Sequence, residues 1–377
     1  MVTPFSMLAT FAATLGVWPS PPLYKVSASR LSNSPVLGAS STGGRFDYLY
    51  NPASFAYASG ANGKVEHWLM VRCENRTSPN ASAWSYGGPS VFAVVREADA
   101  DGTRFDPFAA DAIVFGDGKH DVEDPRIVFV NGKYYMTYTQ GDASCSNVSR
   151  APGGACARLA LASATNPLRR DSWVVHGAIW PDVAGFQWTK SGAIIPGDGG
   201  RPHTMLWASW CTFTPWVSPL YMQIATSHDM LNWTILPGFA MDKRDGHFDS
   251  YVIEPGPPPQ RLRDGNLLFV YNGARQCPTS KPNYDRCYAL GWAVLNGSNP
   301  AQVLARAEEP ILSPVLPWER GVASRGDQTP NAVFIDGALR PDDAHADAFI
   351  AHYGASDTFI GAARITVESL TARKHEP

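Results

Sequence analysis

The chain has 377 residues, of which 44% are hydrophobic, so it can bury a full core in one large domain or two ordinary ones. Its 31 basic and 34 acidic side chains give a formal net charge of −3, and this balance argues against nucleic acid as a partner. The 33 glycines, 31 prolines and 12 tryptophans indicate many turns and many aromatic contacts. This composition favours an all-β protein.

The N-terminus contains an apolar run, Phe5–Trp18, followed by the proline-rich stretch Pro19–Pro22. The run is too short to span a bilayer comfortably, and it resembles the hydrophobic region of a signal peptide that lacks the usual basic start. We therefore assign residues 1–25 to a signal peptide or a disordered N-terminus. We expect no membrane insertion, and we assign residues 26–377 to a single catalytic domain.

The cysteines and glycosylation sequons favour an oxidising, secretory route. The six cysteines form an even set without a CxxC pair, so we expect disulfides and no zinc site. The predicted disulfides are Cys145–Cys156, Cys277–Cys287 and Cys73–Cys211. Sequons begin at Asn75, Asn80, Asn147, Asn232 and Asn296. These features predict a disulfide-bonded glycoprotein that is secreted or held in the lumen of the secretory pathway.

One strand type, which ends in aromatic residues, recurs at intervals of roughly 60 to 80 residues. A second strand with a small residue at its middle follows each copy, and we expect these small residues in crowded inner strands. The aromatic strands are Glu66–Arg72, Tyr134–Tyr138, Thr204–Ala208, Leu267–Tyr271 and Ala348–Tyr353. The strands with small residues are Val91–Val94, Leu159–Ala162, Gln223–Thr226, Gly291–Val294 and Ile360–Ala363.

Five copies of a multi-strand unit predict a five-bladed β-propeller. A pair of β-sandwiches is the competing fold, but it would not explain five evenly placed copies. We interpret the region Ser356–Leu370 as strand rather than helix. In a propeller, residues from different blades converge at one end of the central channel although they are far apart in sequence.

Two carboxylates lie beside prolines just ahead of core strands, which is a suitable place for catalysis. Asp124 stands in the sequence Glu123-Asp124-Pro125-Arg126, and Glu254 precedes Pro255. Glycoside hydrolysis needs one group that protonates the leaving oxygen and one carboxylate that attacks the sugar or activates water. Because Asp and Pro also begin ordinary turns, either residue alone would be weak evidence.

Nine short motifs in order resemble glycoside hydrolase family 130, whose members are five-bladed propellers that cleave β-mannosides with phosphate or with water. The resemblance extends from Arg45 to Arg364. The motifs are Tyr50–Ala53, Val71–Arg72, Glu123–Ile127, Lys190–Pro196, Ser227–Trp233, Glu254–Pro258, Tyr271–Gly273, Pro330–Phe334 and Tyr353–Asp357.

The resemblance implies roles for individual residues. Asp124 is expected to be the general acid, which in the phosphorylases is thought to act through a sugar hydroxyl. Glu254 is expected to be the general base for water, and Asp249 and His247 are alternative bases. The residues expected to bind substrate are Asn51, Arg72, Arg126, Lys190, Asp249, Tyr271 and Asp357. Five tryptophans are candidates to stack on sugar, although most are expected to be packing: Trp180, Trp188, Trp207, Trp210 and Trp216.

The chain departs from the family pattern in its third aromatic strand. Leu206–Ser209 replaces the His-Arg pair that is usual in the phosphorylases, and this loss of cations argues against phosphate. Ser209-Trp210 also replaces a Glu that some hydrolase members carry, which indicates a slow enzyme or a different base. An inverting mechanism places the two carboxyls about 6.5–9.5 Å apart to admit water.

The sequence therefore predicts an inverting β-mannosidase that acts on mannooligosaccharides, mannan or N-glycan-type glycans, and that binds no metal or other cofactor. The first alternative is a β-mannoside phosphorylase, with inorganic phosphate as co-substrate and mannose 1-phosphate as product. The second alternative is a sugar-binding propeller with little catalysis. The expected partner is a mannose-containing oligosaccharide, and the oligomeric state stays open.

Overall fold

The computed structural model is built almost entirely of short antiparallel strands. It describes residues 23–59, 63–75, 90–116, 121–142, 156–180, 186–211, 220–279, 285–321, 329–337, 340–341 and 347–370. The single α-helix of the described residues, α1, spans Pro317–Arg320, and short 3-10 turns span Ala39–Thr42 and Arg170–Ser172. No helix in this part of the chain is both long and apolar enough to cross a membrane.

The strands of the described residues follow one another in this order along the chain. They are β1 (Leu23–Arg30), β2 (Tyr48–Ser59), β3 (Lys64–Glu74), β4 (Val91–Arg96), β5 (Ile113–Phe115), β6 (Val122–Val130), β7 (Lys133–Asp142), β8 (Cys156–Ala164), β9 (Val174–Ala178), β10 (Phe186–Ile195), β11 (His203–Cys211), β12 (Leu220–Ser227), β13 (Thr234–Ile235), β14 (Val252–Pro255), β15 (Gln260–Arg261), β16 (Leu267–Gln276), β17 (Arg286–Leu295), β18 (Val303–Arg306), β19 (Val333–Phe334), β20 (Arg340–Pro341), β21 (Ala348–Ala355) and β22 (Phe359–Leu370).

These strands form five antiparallel sheets, which confirms the predicted five-bladed propeller. Blade 1 has the order β2-β3-β4-β5, blade 2 β6-β7-β8-β9 and blade 3 β10-β11-β12-β13. Blade 4 has the order β14-β16-β17-β18, with β15 beside β16, and blade 5 has the order β19-β21-β22-β1, with β20 beside β21. The region after Ser356 forms β22, as predicted.

The innermost strands are the ones that meet strands of other blades around the axis. β2 contacts β6, and β10 contacts both β6 and β14. The aromatic strands of the repeat, β3, β7, β11, β16 and β21, lie second from the axis. The expectation that the strands with small residues would be inner strands was wrong, because β4, β8, β12, β17 and β22 lie third in their sheets. Their small residues instead sit where neighbouring blades pack side by side.

Blade 5 is completed by a strand from the other end of the chain. β1 pairs with β22 over its whole length, from Leu23 opposite Leu370 to Arg30 opposite Ala363. Arg30 also donates two hydrogen bonds of 2.7 Å to the buried carboxylate of Glu319, which lies in α1. β1 begins inside the segment 1–25 that we assigned to the N-terminus, so residues from Leu23 onward belong to the propeller.

Apolar side chains fill the spaces between neighbouring blades. Phe92 of blade 1 meets Tyr138 of blade 2 edge-on, with ring centroids 6.4 Å apart. Leu206 of blade 3 and Phe269 of blade 4 belong to one buried cluster. Each such side chain contributes about 1.5–3 kcal/mol when it leaves water, so these layers hold the blades together.

The cysteines bear out one of the three predicted disulfides. Cys277 and Cys287 are bonded across the β16–β17 hairpin, with Cα atoms 5.8 Å apart. The predicted Cys73–Cys211 disulfide is wrong, because Cys73 is a free thiol buried among the apolar side chains of blade 1. The predicted Cys145–Cys156 pair lies outside the residues whose side chains the structure describes.

Candidate active site

Three innermost strands carry the same local irregularity. Each has a β-bulge, in β2, β6 and β10, and a residue with positive φ within it. These residues are Asn51 (φ 48°), Asp124 (φ 55°) and Ser191 (φ 59°). A non-glycine residue in this region costs on the order of 1–2 kcal/mol, and bulges of this kind redirect side chains. The bulges therefore direct polar groups from three blades to one region.

Asp124 is the centre of this region. Its Oδ1 accepts a hydrogen bond of 2.9 Å from Asn51 Nδ2 and one of 3.4 Å from Arg72 Nη1. Its Oδ2 lies 3.3 Å from Lys190 Nζ. The three neighbours come from blades 1 and 3, so the propeller brings together residues that the sequence separates widely.

Arg72 joins Asp124 to two further carboxylates. Its Nη2 donates to Glu74 Oε1 at 2.9 Å and to Glu123 Oε1 at 3.1 Å. The side chain of Glu123 is 21% exposed, whereas that of Asp124 is 3% exposed, so Glu123 forms the part of the cluster that faces solvent. Lys190 reaches Glu123 Oε2 as well, at 3.6 Å.

Glu254 belongs to the same region through the β10 bulge. Ser191 Oγ donates a hydrogen bond of 3.0 Å to Glu254 Oε2. The adjacent Lys190 contacts Asp124, so two consecutive residues of blade 3 connect the two candidate catalytic carboxylates. Both carboxylates are buried.

Arg126 lies beneath these carboxylates and crosses the axis of the propeller. Its Nη1 donates to the backbone oxygen of Asp124 at 2.9 Å, while its Nη2 donates to the oxygen of Pro255 at 2.7 Å. Its Nε donates to the oxygen of Gly256 at 2.9 Å, and Nη2 also pairs with Asp336 of blade 5. One side chain of blade 2 is thus bonded to blades 4 and 5.

Neighbouring positive charges favour the ionised form of Asp124. Burial disfavours its charged form, but Lys190, Arg72 and Arg126 outweigh burial and lower the pKa of Asp124 below its usual range. Burial likewise opposes the charge of Lys190, yet the carboxylates of Asp124 and Glu254 raise the pKa of Lys190 overall. These opposite shifts are those of a tight ion pair.

Three further carboxyls near Asp124 have raised pKa values. Burial raises the pKa of Glu74 to about 7 and raises the pKa of Asp357, which accepts a hydrogen bond from Thr329. Burial also raises the pKa of Asp336 well above the ordinary value. Burial therefore makes these three carboxyls easier to protonate than free side chains, whereas the cations around Asp124 have the opposite effect on its pKa.

Asp249 and Tyr271 lie in a different cluster of blade 4. The Tyr271 hydroxyl donates to Asp249 Oδ2 at 2.8 Å, and Asp249 also pairs with Arg306 at 2.6 Å and with Arg244 at 3.1 Å. His247 contacts Glu308 in the neighbouring turn. The Asp124 cluster consists of Asn51, Arg72, Glu123, Asp124, Lys190 and Glu254. The structure shows no hydrogen bond or ion pair between it and Asp249, Tyr271 or His247 among the described residues, and the roles of these three in substrate binding or base catalysis stay predictions.

Of the five tryptophans proposed for sugar stacking, the structure describes the side chains of two. Trp180 and Trp207 are buried against each other, with ring centroids 4.5 Å apart, so they serve as core. The side chains of Trp188, Trp210 and Trp216 lie outside the described residues. No group of three His, Cys, Asp or Glu side chains in the described ranges is arranged to hold a metal ion.

Four polar residues of the cluster were not among the predicted site residues. Glu123 and Ser191 stand directly beside Asp124 and Lys190. They could have been predicted as site residues because they belong to the same sequence motifs. Glu74 is two residues beyond Arg72 on β3. Side chains two residues apart on a strand point to the same face, so the position of Arg72 could have indicated Glu74. Asp336 follows the motif Pro330–Phe334 of blade 5, and no sequence pattern connects it with Arg126.

A five-bladed propeller with paired carboxylates at one end of its channel defines a class of carbohydrate-cleaving proteins. A family model described as beta-1,4-mannooligosaccharide phosphorylase matches residues 100–373. The chain therefore belongs to glycoside hydrolase family 130, and it is a glycosidase or a glycoside phosphorylase.

The relatives by sequence are bacterial phosphorylases. The 1,2-beta-oligomannan phosphorylase of Thermoanaerobacter sp. (strain X514) is 28% identical over 250 residues, which cover 66% of this chain and 69% of that protein. The beta-1,2-mannobiose phosphorylase of the same strain is 35% identical over 131 residues, which cover 34% of this chain and 37% of that protein.

Solved structures share the fold. The beta-1,2-mannobiose phosphorylase of Listeria innocua, in complex with beta-1,2-mannobiose, has a TM-score of 0.64 at 17% identity and covers 89% of this chain and 96% of its own. A second structure was reported with glycoside hydrolases of the family that target beta-1,2 mannosidic linkages in Candida mannan. It has a TM-score of 0.63 at 22% identity and covers 93% of this chain and 95% of its own. At these identities the likeness shows the fold alone.

Proposed function

We propose that this protein cleaves β-mannosidic bonds of mannooligosaccharides or mannan-type glycans by inverting hydrolysis. The observation that carries the proposal is that each cation of the Asp124 cluster is already bound to carboxylates. Arg72 contacts Glu74, Glu123 and Asp124, and Lys190 contacts Glu123 and Asp124.

The charges of the cluster favour water over phosphate as the second substrate. Even if Glu74, Asp336 and Asp357 are protonated, three carboxylates face three cations. The carboxylates are Glu123, Asp124 and Glu254, and the cations are Arg72, Arg126 and Lys190. A phosphate dianion needs several unpaired cationic or N–H donors, and this balance leaves no net positive charge for it.

In the proposed reaction Asp124 provides the proton for the leaving oxygen and Glu254 activates a water molecule. Asn51 and Lys190 hold Asp124 in place, and Ser191 orients Glu254. Because the surrounding cations lower the pKa of Asp124, it must gain a proton when the sugar binds before it can donate one.

Phosphorolysis is the second candidate, and two observations favour it. The curated relatives by sequence are phosphorylases. A further cation, Arg286, lies over the ring of Tyr251 at 5.2 Å and lowers the pKa of Tyr288, whose pKa is nevertheless raised to about 12 by burial and by Glu254. Arg286 thus adds positive charge beside the cluster.

The two reactions are distinguished by their products. The protein is incubated with β-1,2- and β-1,4-mannobiose, with and without inorganic phosphate, and the sugars are separated by anion-exchange chromatography. We expect free mannose at the same rate in both conditions, released first as the α-anomer in a proton NMR time course. Mannose 1-phosphate formed only with phosphate would establish phosphorolysis, and binding without either product would favour the sugar-binding alternative.

We also propose that the protein matures in the secretory pathway. The Cys277–Cys287 disulfide and the exposed sequon at Asn232 support this location. The test is expression in a eukaryotic secretory host, followed by peptide mass spectrometry before and after N-glycan removal. Unmodified sequons in protein recovered from the medium would contradict the glycoprotein assignment.

A further inference from the structure

A cavity of about 600 Å³ opens between blades 4 and 5. Its lining includes His247, Arg275, Tyr288, Arg320 and Asn331. Arg275 stands near the end of β16, and this end of the strand lies opposite the start of β14. Glu254 is the third residue of β14, so Arg275 and Glu254 lie toward the same end of blade 4. The cavity therefore opens on the same face of the propeller as the candidate active site, and its volume is typical of a ligand pocket.

Two cations of this cavity lack partners within the part of the chain that the structure describes. Arg275 and Arg320 are exposed, and neither side chain makes a hydrogen bond or ion pair with a described residue. Arg244 and Arg306 of the same blade are, by contrast, both bound to Asp249. The lining also contains one acid, Glu309, so the cavity retains net positive charge.

Tyr288 forms a wall between the cavity and the candidate active site. It lines the cavity, and its hydroxyl group is close enough to Glu254 and Lys190 for both charges to act on its pKa. Its backbone N–H donates to the oxygen of Asn331 at 3.0 Å, and Asn331 donates to the oxygen of Arg320 at 2.8 Å. A short chain of contacts thus links the arginine side of the cavity to the catalytic region.

We propose that this cavity binds the phosphoryl group of an anionic mannoside whose terminal sugar occupies the Asp124 site. The inference rests on the proposed cleavage of mannosides and adds a substrate class to it. Guanidinium groups bind phosphate oxygens through two parallel hydrogen bonds, and two such groups can share one phosphate. The Asp124 cluster has no spare positive charge, so an anionic substituent is accommodated in this cavity and not among the carboxylates.

The test compares two substrates that differ by one phosphate. One is a neutral β-mannobioside, and the other carries a phosphate monoester on the leaving-group sugar. The double variant Arg275→Gln/Arg320→Gln is expected to lower kcat/KM for the phosphorylated substrate at least tenfold while activity on the neutral one is unchanged. Arg263→Gln, an exposed arginine at the opposite end of the same blade, is the matched control and is expected to change neither value.

An unchanged ratio of the two kcat/KM values in the double variant would overturn the proposal. Titration calorimetry with the same phosphorylated mannobioside gives an answer even if the protein cleaves neither substrate, because loss of affinity in the double variant reports on the cavity directly. Inorganic phosphate is titrated in parallel. If it binds as tightly as the phosphorylated sugar and depends on the same arginines, the cavity belongs to free phosphate and the mannoside assignment is wrong.

Discussion

Asp124 combines a strained backbone, deep burial and three cationic neighbours. Its φ of 55° places it in the left-handed region, and the carboxylate so directed contacts Asn51, Arg72 and Lys190. Such strain persists only where the surroundings fix it, and it is common at functional sites. The combination explains how one carboxylate can be fully charged although it is almost inaccessible to water.

Sugar binding is expected to change the protonation of Asp124. Because Lys190 and Arg72 lower the pKa of Asp124, a general acid at this position must take up a proton with the substrate. Titration calorimetry at pH 7 in buffers of different ionisation enthalpy should show uptake of about one proton per bound sugar. The variant Asp124→Asn should show none, and zero uptake by the unmodified protein would favour Asp124 as the base instead.

Asp124→Asn is also expected to lower kcat by about 10²–10⁴-fold, the usual contribution of a general acid. The amide has nearly the same shape and keeps an oxygen for Asn51, so the fold should be retained. Steady-state kinetics and circular dichroism check the two parts. Activity close to that of the unmodified protein would remove Asp124 from the mechanism.

Glu74 is expected to make the protein less stable as the pH rises. Its pKa is raised from 4.5 to about 7 by burial, so its contribution is fully present below pH 4.5 and is lost as the pH rises through 7. The shift corresponds to at most about 3 kcal/mol. Urea unfolding at pH 5 and pH 8 should show a larger loss for the unmodified protein than for Glu74→Gln. The exposed Glu368→Gln serves as control, and equal losses in all three proteins would contradict the expectation.

At the scale of single strands, sequence reasoning located the repeat but misplaced its layers. The aromatic strands were found because they are buried on both faces, yet the innermost strands are short or irregular and have weak patterns. β19 has only two residues, Val333–Phe334, and β6 is interrupted by a bulge at Asp124. Cys73 was assigned to a disulfide from cysteine number alone, whereas its thiol lies in a core that no second cysteine of the described residues reaches.

A buried ion pair between Arg30 of β1 and Glu319 is expected to stabilise the closure of blade 5. Arg30→Met removes the cation from the buried carboxylate of Glu319, which then keeps only the Tyr353 hydroxyl and two backbone N–H groups. Loss of one partner of a buried pair costs about 3–5 kcal/mol. Lys25→Met on the same strand breaks an exposed contact of 4.0 Å with Glu368 and should cost under about 1 kcal/mol.

Denaturant unfolding of the two variants decides between a specific ion pair and a general effect of charge on β1. Equal destabilisation by Arg30→Met and Lys25→Met would show that the buried pair does not stabilise the closure of blade 5. A large difference, with unchanged slope of free energy against denaturant, would show that the pair acts on the folded state.

At the scale of the molecule, Arg126 and Asp336 connect blades that the strand pairings leave separate. Asp336→Leu leaves part of a buried guanidinium without its anion and is expected to destabilise the fold by about 3–5 kcal/mol. Asp336→Asn keeps an oxygen for Arg126, so the loss of stability should be smaller. If Arg126 positions the segments that carry Asp124 and Glu254, Asp336→Asn should lower kcat with little change in KM.

Kinetics at several pH values separate positioning from a merely structural role. A positioning effect should move the acidic limb of the pH–rate profile in Asp336→Asn, since Asp124 lies within the field of this pair. An unchanged profile together with unchanged kcat would restrict Asp336 to stability. The sequence could not predict this pair, because its members are separated along the chain and meet only when five blades surround one axis.

The crossing of the axis by Arg126 also limits how a sugar chain can be used. The guanidinium binds backbone oxygens of blades 2 and 4 across the axis, and we infer that a sugar chain cannot pass through the channel at this level. In the proposed reaction only a chain terminus can then reach the carboxylates, and internal linkages of a long polymer stay out of reach. Trimming is then stepwise, one residue at a time.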